Sequence, residues 1–216
     1  AHKSAAVKEI NVTEGTEDAA TSVGYDWFAA LTGLKHPTST SATVYAAASN
    51  LFNEDAVVTA IVPNAQNPMY RVRNGEVGLI EGFEMAHVLE TVYQEDKEKA
   101  VKRPVVVVID VPSQAYGYNE ELIGIHVALA NSAAAYAKLR QAGHPVIGFI
   151  AGNAISGAFL AHGLQSSRLI ALNSSNITVQ AMSKESASRV TKRSIAAIEA
   201  AAEKVPSIAY DIKNYT

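Results

Sequence analysis

The chain has 216 residues, of which 48% are apolar and 18% are charged, as expected for a globular domain with a substantial core. Its formal net charge of −3 is too small to favour a nucleic-acid or membrane surface. There is no cysteine, which excludes disulfides, thiolate metal ligands and thiol nucleophiles within these residues. No apolar run reaches the roughly 20 residues that span a bilayer, and the N-terminus lacks the apolar core of a signal peptide. We therefore expect a cytoplasmic protein.

The first residues are polar and show no steady periodicity, so we expect a flexible N-terminal extension over 1–22 and a single domain over 23–216. The domain opens with a predicted short helix that ends at Gly33. Apolar patterns then alternate between strands and helices. In chain order they predict strands over 42–49 and 56–63, a helix over 76–98, a strand over 104–110, a long helix over 119–143, a strand over 145–151, a short helix over 155–165, a strand over 168–172 and a helix over 183–203.

The alternation of strands and helices predicts an α/β fold with a parallel sheet. Two of the strands, "PVVVVID" and "PVIGFIA", are almost continuously apolar, which is typical of strands that are buried on both faces. Open sheets of this kind bind ligands at the carboxyl edge of their strands. The loops that follow these two strands are therefore the first places to look for a site.

The stretch "AGNAISGAFLAHG" (151–163) places small residues at a sharp corner between a strand and a helix. A nucleophile elbow around Ser156 would need glycine where Ala154 and Ala158 stand, and His162 on the same helix would not face the serine. An oxyanion hole fits better, because the first amides of a helix have no partners within it and small residues let a carbonyl oxygen approach them. Close packing of the helix on the sheet explains the same composition.

A second loop of this kind, "VPSQAYGYNEE" (111–121), connects the valine-rich strand to the long helix. Asp110 and Pro112 fit ordinary turn chemistry, and the tyrosines of the loop fit an exposed surface. The two successive strands nevertheless each end in a loop of small residues, with a helix beyond it. We therefore expect the two loops to form two walls of one pocket.

Several segments resemble the gamma subunit of biotin-independent malonate decarboxylase. The most specific are "DVPSQAYG" and "SGAFLAHG", and "NGEVGLIEG", "RLIAL", "AMSKESASRVT" and "VPSIAYDI" are similar as well. The resemblance runs from about Tyr25 to Ile212. It implies the crotonase-like (carboxyltransferase) fold, a spiral of ββα repeats.

The resemblance also implies an activity and partners. The family's gamma subunit acts with a beta subunit to decarboxylate a malonyl thioester carried by an acyl carrier protein, which gives the acetyl thioester and carbon dioxide. No tightly bound cofactor is implied, since the carrier protein supplies the phosphopantetheine arm. Whether the gamma loops hold the enolate or the departing carboxylate is left open.

Site residues follow from the same resemblance. The backbone amides of Gly157 and Ala158, together with the loop residues Ser113 and Gln114, map onto the catalytic positions. The expected substrate-binding residues are Ser156, Gly152, Tyr116 and Gly117. Ser156 stands where biotin-dependent relatives usually have glycine, so its hydroxyl either adds a donor to the pocket or caps the helix.

Other side chains are interpreted more simply. We expect His126 to be a core or interface histidine, His144 a turn residue, and His162 a brace behind the corner, with general acid catalysis as its alternative role. Arg71 and Arg73 are expected in solvent, unless they face the pocket and bind a carboxylate or a carrier phosphate. No grouping of His, Asp and Glu has the spacing of metal ligands, so no metal is expected.

Two alternatives to the decarboxylase remain open. The chain could be a stand-alone hydratase or hydrolase of CoA thioesters, which would need an acid–base carboxylate such as Glu120 or Glu121. It could instead be a non-catalytic structural partner whose active groups lie in another subunit.

Overall fold

The structure is a computed structural model that describes residues 22–34, 41–174 and 176–204. The expected extension lies outside these residues except for Ser22, and so does the end of the predicted domain from 205 onward. The elements in chain order are α1 (Val23–Thr32), β1 (Val44–Leu51), β2 (Glu54–Ile61), α2 (Leu79–Asp96), β3 (Val105–Val111), α3 (Tyr118–Ile123), α4 (Ile125–Gln141), β4 (Val146–Ile155), α5 (Ser156–Ala158), β5 (Arg168–Ala171), β6 (Val179–Gln180), α6 (Lys184–Thr191) and α7 (Ile195–Ala202).

The strands form one mixed sheet in the order β1-β2-β3-β4-β5, with β6 pairing the far end of β4. β1 and β2 form an antiparallel hairpin, whereas β2, β3, β4 and β5 are parallel. β3 and β4 are therefore central, and their carboxyl ends lie side by side at one edge of the sheet. This edge carries the two loops that the sequence singles out.

Both faces of the central sheet are covered, which explains the continuous apolar runs of β3 and β4. Val105 and Val107 pack in the cluster that contains apolar residues of α2 and α4. Val106 and Val108, which point to the opposite face, pack with Phe28 of α1. The predicted alternation of strands and helices, with a mainly parallel sheet, is confirmed.

The predicted long helix over 119–143 is wrong in one respect, because it is two helices. Gly124 has φ +108° and ends α3, where its amide donates to the Glu120 carbonyl, before α4 begins at the next residue. This left-handed conformation suits glycine, since it has no Cβ. The chain therefore changes direction between the loop after β3 and the helix that returns across the sheet.

The predicted tail helix over 183–203 is also two helices, α6 and α7. Lys192 has φ +59°, which interrupts the first of them. Each helix has its own serine cap: Ser183 Oγ accepts from the Ser186 amide, and Ser194 Oγ accepts from the Ala197 amide. The two-residue strand β6 was not predicted, and it is too short to leave a pattern in the sequence.

The C-terminal end of α2 is fixed by a buried carboxylate. Asp96 accepts hydrogen bonds from the Arg103 backbone amide (3.2 Å), from Arg103 Nε (2.8 Å) and from Lys99 Nζ (2.6 Å). Burial alone would raise the pKa of Asp96, but these donors lower it to about 2. His144 is buried beside them, with Nδ1 2.9 Å from the Arg103 carbonyl oxygen, and is therefore more than the turn residue that was expected.

Helices α2 and α4 approach each other closely where Gly82 faces Ala128. A methyl group on Gly82 would lie 2.8 Å from the Ala128 carbonyl carbon and oxygen, so only glycine fits without a shift of the backbone.

No helix among the described residues is long and apolar enough to cross a membrane.

Candidate active site

The loop after β3 is held in place by the segment that leads into α2. Val77 pairs with Gln114 in an isolated parallel bridge. The Val77 amide donates to the Ser113 carbonyl (3.0 Å), and the Ala115 amide donates to the Val77 carbonyl (2.8 Å). The predicted site residues Ser113 and Gln114 therefore lie on a backbone that is fixed from a second element.

The corner after β4 turns within one residue. Ile155 is extended, Ser156 has φ +66°, and the helical turn starts there. A positive φ is unusual for serine and marks local strain of the kind that collects at functional sites. The amides of Gly157 and Ala158 lie in the first turn, where helix geometry gives them no partner within the helix.

Ser156 is not in the cap position of this helix, which was one of the two roles considered for its hydroxyl. The helix begins at Ser156 itself, with Ile155 in the cap position. Among the described residues, no first-turn amide donates to the Ser156 hydroxyl. The other role considered for this hydroxyl, that of an additional hydrogen-bond donor to the substrate, stays a prediction.

The two loops meet at Gly157. A methyl group on this glycine would overlap Gln114 Oε1 and would lie 3.6 Å from Leu129 Cδ1. Ser156, Gly157, Ser113 and Gln114 are all half-buried, while Ala158 is buried. The structure thus brings together the four residues predicted to be catalytic, on two adjacent loops at one edge of the sheet.

Tyr116 forms the outer part of this edge. Its ring is exposed and lies under the Arg71 guanidinium, whose Cζ is 3.8 Å from the ring centroid. Arg71 Nη1 also donates to both carboxylate oxygens of Glu76, at 3.0 and 3.1 Å, and these bonds raise the pKa of Arg71. Arg73 instead donates to the Asn67 carbonyl oxygen (2.6 Å). Arg71, unlike Arg73, is therefore placed beside a predicted site residue.

Arg71 and Gly117 line an open cavity of about 380 Å³. Glu120 lines the same cavity and is buried against Gly117, at which a side chain would overlap the Glu120 carboxylate. Glu121 is exposed. Of the two carboxylates considered for acid–base chemistry, Glu120 is the one at a cavity.

Gly152 is buried inside β4, and its neighbour is Asp110 at the end of β3. A side chain at Gly152 would overlap the Asp110 carboxylate. Asp110 Oδ1 accepts from the Asn153 amide (2.9 Å), and Oδ2 accepts from the Gly24 amide in the first turn of α1 (3.1 Å). Sequence reasoning took Asp110 for a turn residue. The sequence did hold a signal of a special role for Asp110, since this acid follows an otherwise apolar strand. Its hydrogen-bond partners Gly24 and Asn153, however, lie 86 and 43 residues away along the chain.

His162 lies behind the corner, in a π turn formed by Phe159–Gly163. It is buried, its Nδ1 is 2.8 Å from the Tyr136 hydroxyl oxygen, and the two rings meet edge to face. Burial lowers the pKa of His162 to about 4, so the ring is neutral at pH 7. These contacts brace the corner on α4, as expected, and they leave the ring outside the cavity.

His126, in contrast, is exposed on the first turn of α4, which excludes the expected core role and leaves an interface role. Among the described residues there is no group of three or more His, Asp or Glu side chains that could hold a metal ion.

Comparisons with known proteins give one family and a related carboxyltransferase. A family profile described as malonate decarboxylase gamma subunit matches residues 72–216. A malonyl-S-ACP:biotin-protein carboxyltransferase, MADD of Malonomonas rubra, is 36% identical over 151 residues. That match covers 68% of this chain and 52% of the relative, so the chain spans about half the length of this curated relative.

Solved structures extend the comparison to the fold. In a Pseudomonas malonate decarboxylase hetero-tetramer in complex with coenzyme A, the matching chain is 47% identical, with a TM-score of 0.84, over 90% of this chain and 74% of that one. A Pseudomonas MdcD-MdcE hetero-dimer gives 46% identity and a TM-score of 0.81, over 90% of this chain and 76% of that one. The transcarboxylase 12S matches at 21% identity and a TM-score of 0.54, over 73% of this chain and 27% of that one, which supports the fold alone.

The sheet and its flanking helices are those of a crotonase-like carboxyltransferase fold. Within that class, the chain belongs to the malonate decarboxylase gamma subunit family. The resemblance stated from the sequence is therefore confirmed, as is the predicted fold class.

Proposed function

We propose that this chain, paired with a beta-type subunit, decarboxylates a malonyl thioester carried by an acyl carrier protein to the acetyl thioester and carbon dioxide. The observation that carries the proposal is the contact between the two loops, where Gln114 lies against Gly157 and the Gly157 and Ala158 amides lie in the first turn of the helix. The absence of cysteine in the sequence fits a reducing compartment, and we propose that the reaction takes place in the cytoplasm.

The chemistry requires fixed hydrogen-bond donors more than it requires a reactive side chain. When the bond to the departing carboxylate breaks, its electron pair moves onto the thioester and forms an enolate, which then takes a proton at carbon. An enolate oxygen beside rigid amides is stabilised without any reorganisation of solvent, and one such donor contributes about 3–4 kcal/mol. The Gly157 and Ala158 amides are suited to this role, whichever of the two oxygens they hold.

The phosphopantetheine arm of the carrier would bring the thioester to this edge of the sheet. Ser156, Gly157 and Ala158 have small side chains or none, so the backbone can be approached closely there. Ser113, Gln114 and Ser156 would position the acyl group from the two sides, and we propose Tyr116, Gly117 and Gly152 as further substrate-side residues. The carrier supplies the thioester, and this chain's residues bind and orient it.

A beta-type partner is supported by the surface next to the loops. Three large side chains of α3 are mostly exposed, with Tyr118 at 81%, Leu122 at 72% and Ile123 at 68%. Apolar side chains that cluster in this way mark interaction surfaces more often than free ones. The relative of known structure forms an MdcD-MdcE hetero-dimer, which supports a partner of that type for this chain.

The first experiment measures carbon dioxide release from malonyl carrier-protein thioester, with the purified chain alone and with a co-expressed beta-type subunit. Release only from the pair supports the proposal. Release by the chain alone would favour the stand-alone enzyme. An inactive pair would overturn the decarboxylase proposal, and hydrolysis of CoA esters would then be assayed.

A variant of the pair tests the amide directly. Gly157→Pro removes the amide hydrogen, and proline is tolerated in the first turn of a helix. Because any side chain at this position meets Gln114, the substitution is made in a Gln114→Ala background, with Gly157→Ala in the same background as the matched control. We expect the proline variant to lose about 100-fold or more in kcat relative to the alanine control. Equal kcat values in the two variants would show that the Gly157 amide has no part in the reaction. If the assembly is also intact in both variants, this result would favour the structural-partner alternative.

A further inference from the structure

We infer that Asp110 is a positioning residue, whose carboxylate sets the placement of the Gly157 amide opposite the Gln114 loop. The inference rests on the proposed function, because it gives that amide a role in the reaction. Asp110 does not face the two loops as a reactant. It acts through the backbone of the strand end that carries the corner.

The Asp110 carboxylate joins three elements. Oδ1 accepts from the Asn153 amide of β4 at 2.9 Å, and Oδ2 accepts from the Gly24 amide of α1 at 3.1 Å. Asp110 is the last residue but one of β3, two positions before the loop that contains Ser113 and Gln114. One side chain therefore ties the ends of both central strands to the helix on the far side of the sheet.

The pairing of β3 with β4 becomes irregular at Asp110. Ile109 pairs with Ile150, but the next pair is Val111 with Ala154. Three residues of β4, 151–153, therefore lie opposite Asp110 alone. A bulge of this kind redirects the strand beyond it. The redirected segment is Ala154–Ile155, which leads directly to Ser156 and Gly157.

Two glycines make room for this carboxylate. A methyl group on Gly24 would lie 3.0 Å from Asp110 Cβ, and one on Gly152 would overlap the carboxylate. The backbone of α1 and the bulge of β4 are thus both built closely around one side chain. Such a fit would be unnecessary if Asp110 were only a turn residue in contact with solvent.

Both contacts of Asp110 are with backbone donors, so both of its oxygens must accept. An asparagine has one accepting oxygen, and its amide group would face a backbone N–H and repel it. Asp110→Asn therefore loosens either the bulge or the start of α1 while it changes the volume of the side chain very little. A misplacement of about 1 Å in a catalytic group can cost about 100-fold in rate.

The experiment compares Asp110→Asn with Asp96→Asn in the assembled beta–gamma pair. Asp96 is also a carboxylate that accepts from a backbone amide, but it lies at the end of α2. We expect Asp110→Asn to lower kcat by about 10- to 100-fold and to leave KM within about threefold. Asp96→Asn should lower the melting temperature and leave the kcat of the folded pair within about twofold. An unchanged kcat in Asp110→Asn, or an equal loss of kcat in Asp96→Asn, would overturn the inference.

A second measurement does not depend on activity. In the pair with a ¹⁵N-labelled gamma chain, Asp110→Asn should shift the Gly157 amide resonance, although Asp110 does not contact Gly157. Asp96→Asn should not shift it. Gly152→Ala displaces the Asp110 carboxylate and keeps its charge. It should shift the Gly157 resonance and lower kcat as Asp110→Asn does. It replaces Asp110→Asn in both measurements if that variant does not assemble.

The two hypotheses can fail separately. If the wild-type pair releases no carbon dioxide, the proposed function fails, and the Gly157 resonance alone decides the role of Asp110. If the wild-type pair is active and Asp110→Asn leaves kcat unchanged, the inference fails while the proposed function stands.

Discussion

His162 shows how a buried titratable group can serve the site without reacting. Its ring is fully enclosed and bonded to the Tyr136 hydroxyl, and it holds the π turn against α4. Burial raises the pKa of Tyr136 well above its ordinary value, so that hydroxyl stays protonated throughout the pH range in which enzymes work. The pair is therefore a neutral hydrogen bond in the core.

This burial predicts a pH dependence of stability. The pKa of His162 falls from an ordinary 6.5 to about 4 in the folded chain, so the unfolded chain binds one more proton between these two values. The free energy of unfolding should be highest above pH 6.5 and should fall by about 3 kcal/mol as the pH drops to 4. Denaturant unfolding at a series of pH values measures this change in the free energy of unfolding.

Two variants isolate this effect. His162→Gln removes the titrating ring and should flatten the profile between pH 6.5 and 4, at some cost in stability at pH 7. His126→Gln removes an exposed histidine and should leave the profile unchanged. Below pH 4 both variants should lose stability further as Asp96, whose pKa is about 2, takes up its proton. A profile that stays steep in His162→Gln would show that another group carries the dependence.

At this scale, the sequence could indicate which residues are small and polar at the corner, but it could not show their partners. Gly157 was predicted from the chemistry of helix-start amides and from the family resemblance, and Gln114 from the resemblance alone. Their contact is visible only in three dimensions. Asp110 was misjudged because its two hydrogen bonds go to backbone amides, which every residue except proline possesses. Backbone partners leave no mark on composition or spacing, so no pattern could identify them.

At the scale of elements, the strands were predicted well because burial on both faces forces continuous apolar runs, as in Val105–Val111. The helices were predicted less well. Apolar periodicity continues smoothly from α3 into α4, and only the φ of Gly124 separates them. A glycine inside a helical pattern is compatible with both outcomes, since it can be tolerated within a helix or can end one.

The residues that separate α3 from α4 and α6 from α7 predict stability changes of opposite sign when they are substituted. Lys192 has φ +59°, a conformation that costs a residue with a Cβ about 1 kcal/mol, so Lys192→Gly should raise the free energy of unfolding by up to that amount. Gly124→Ala introduces the same strain at φ +108° and should lower it by about 1–2 kcal/mol. Chemical denaturation of both variants checks the pair. Stabilisation by Gly124→Ala would mean that α3 and α4 can merge into one helix.

At the scale of the whole molecule, the exposed apolar side chains are unevenly distributed. Tyr118, Leu122 and Ile123 lie together on α3, beside the loop that carries Gln114. Phe52 is 98% exposed, but it lies in the tight turn of the β1–β2 hairpin, with φ +54°. This difference in position is the basis for a test of where the partner binds.

Leu122→Asp should weaken assembly with the proposed beta-type subunit by at least tenfold in Kd, because a charge would replace an apolar side chain of the proposed interface. Phe52→Asp changes an even more exposed apolar residue and should leave Kd unaffected. Analytical ultracentrifugation or surface plasmon resonance of the purified subunits measures both. Equal weakening by the two substitutions would indicate that the partner covers a different or much larger surface.

The contact of Gly82 with Ala128 has a consequence for how the site can move. Proteins that close over a substrate often do so by letting packed helices slide a small distance past each other. Here a methyl group on Gly82 would lie 2.8 Å from the Ala128 carbonyl, so α2 and α4 leave no room for a side chain between them. Apolar residues of both helices belong to one core cluster, so we expect α2 and α4 to move as one unit. If the site closes over its substrate, we expect the movement to lie outside this pair of helices.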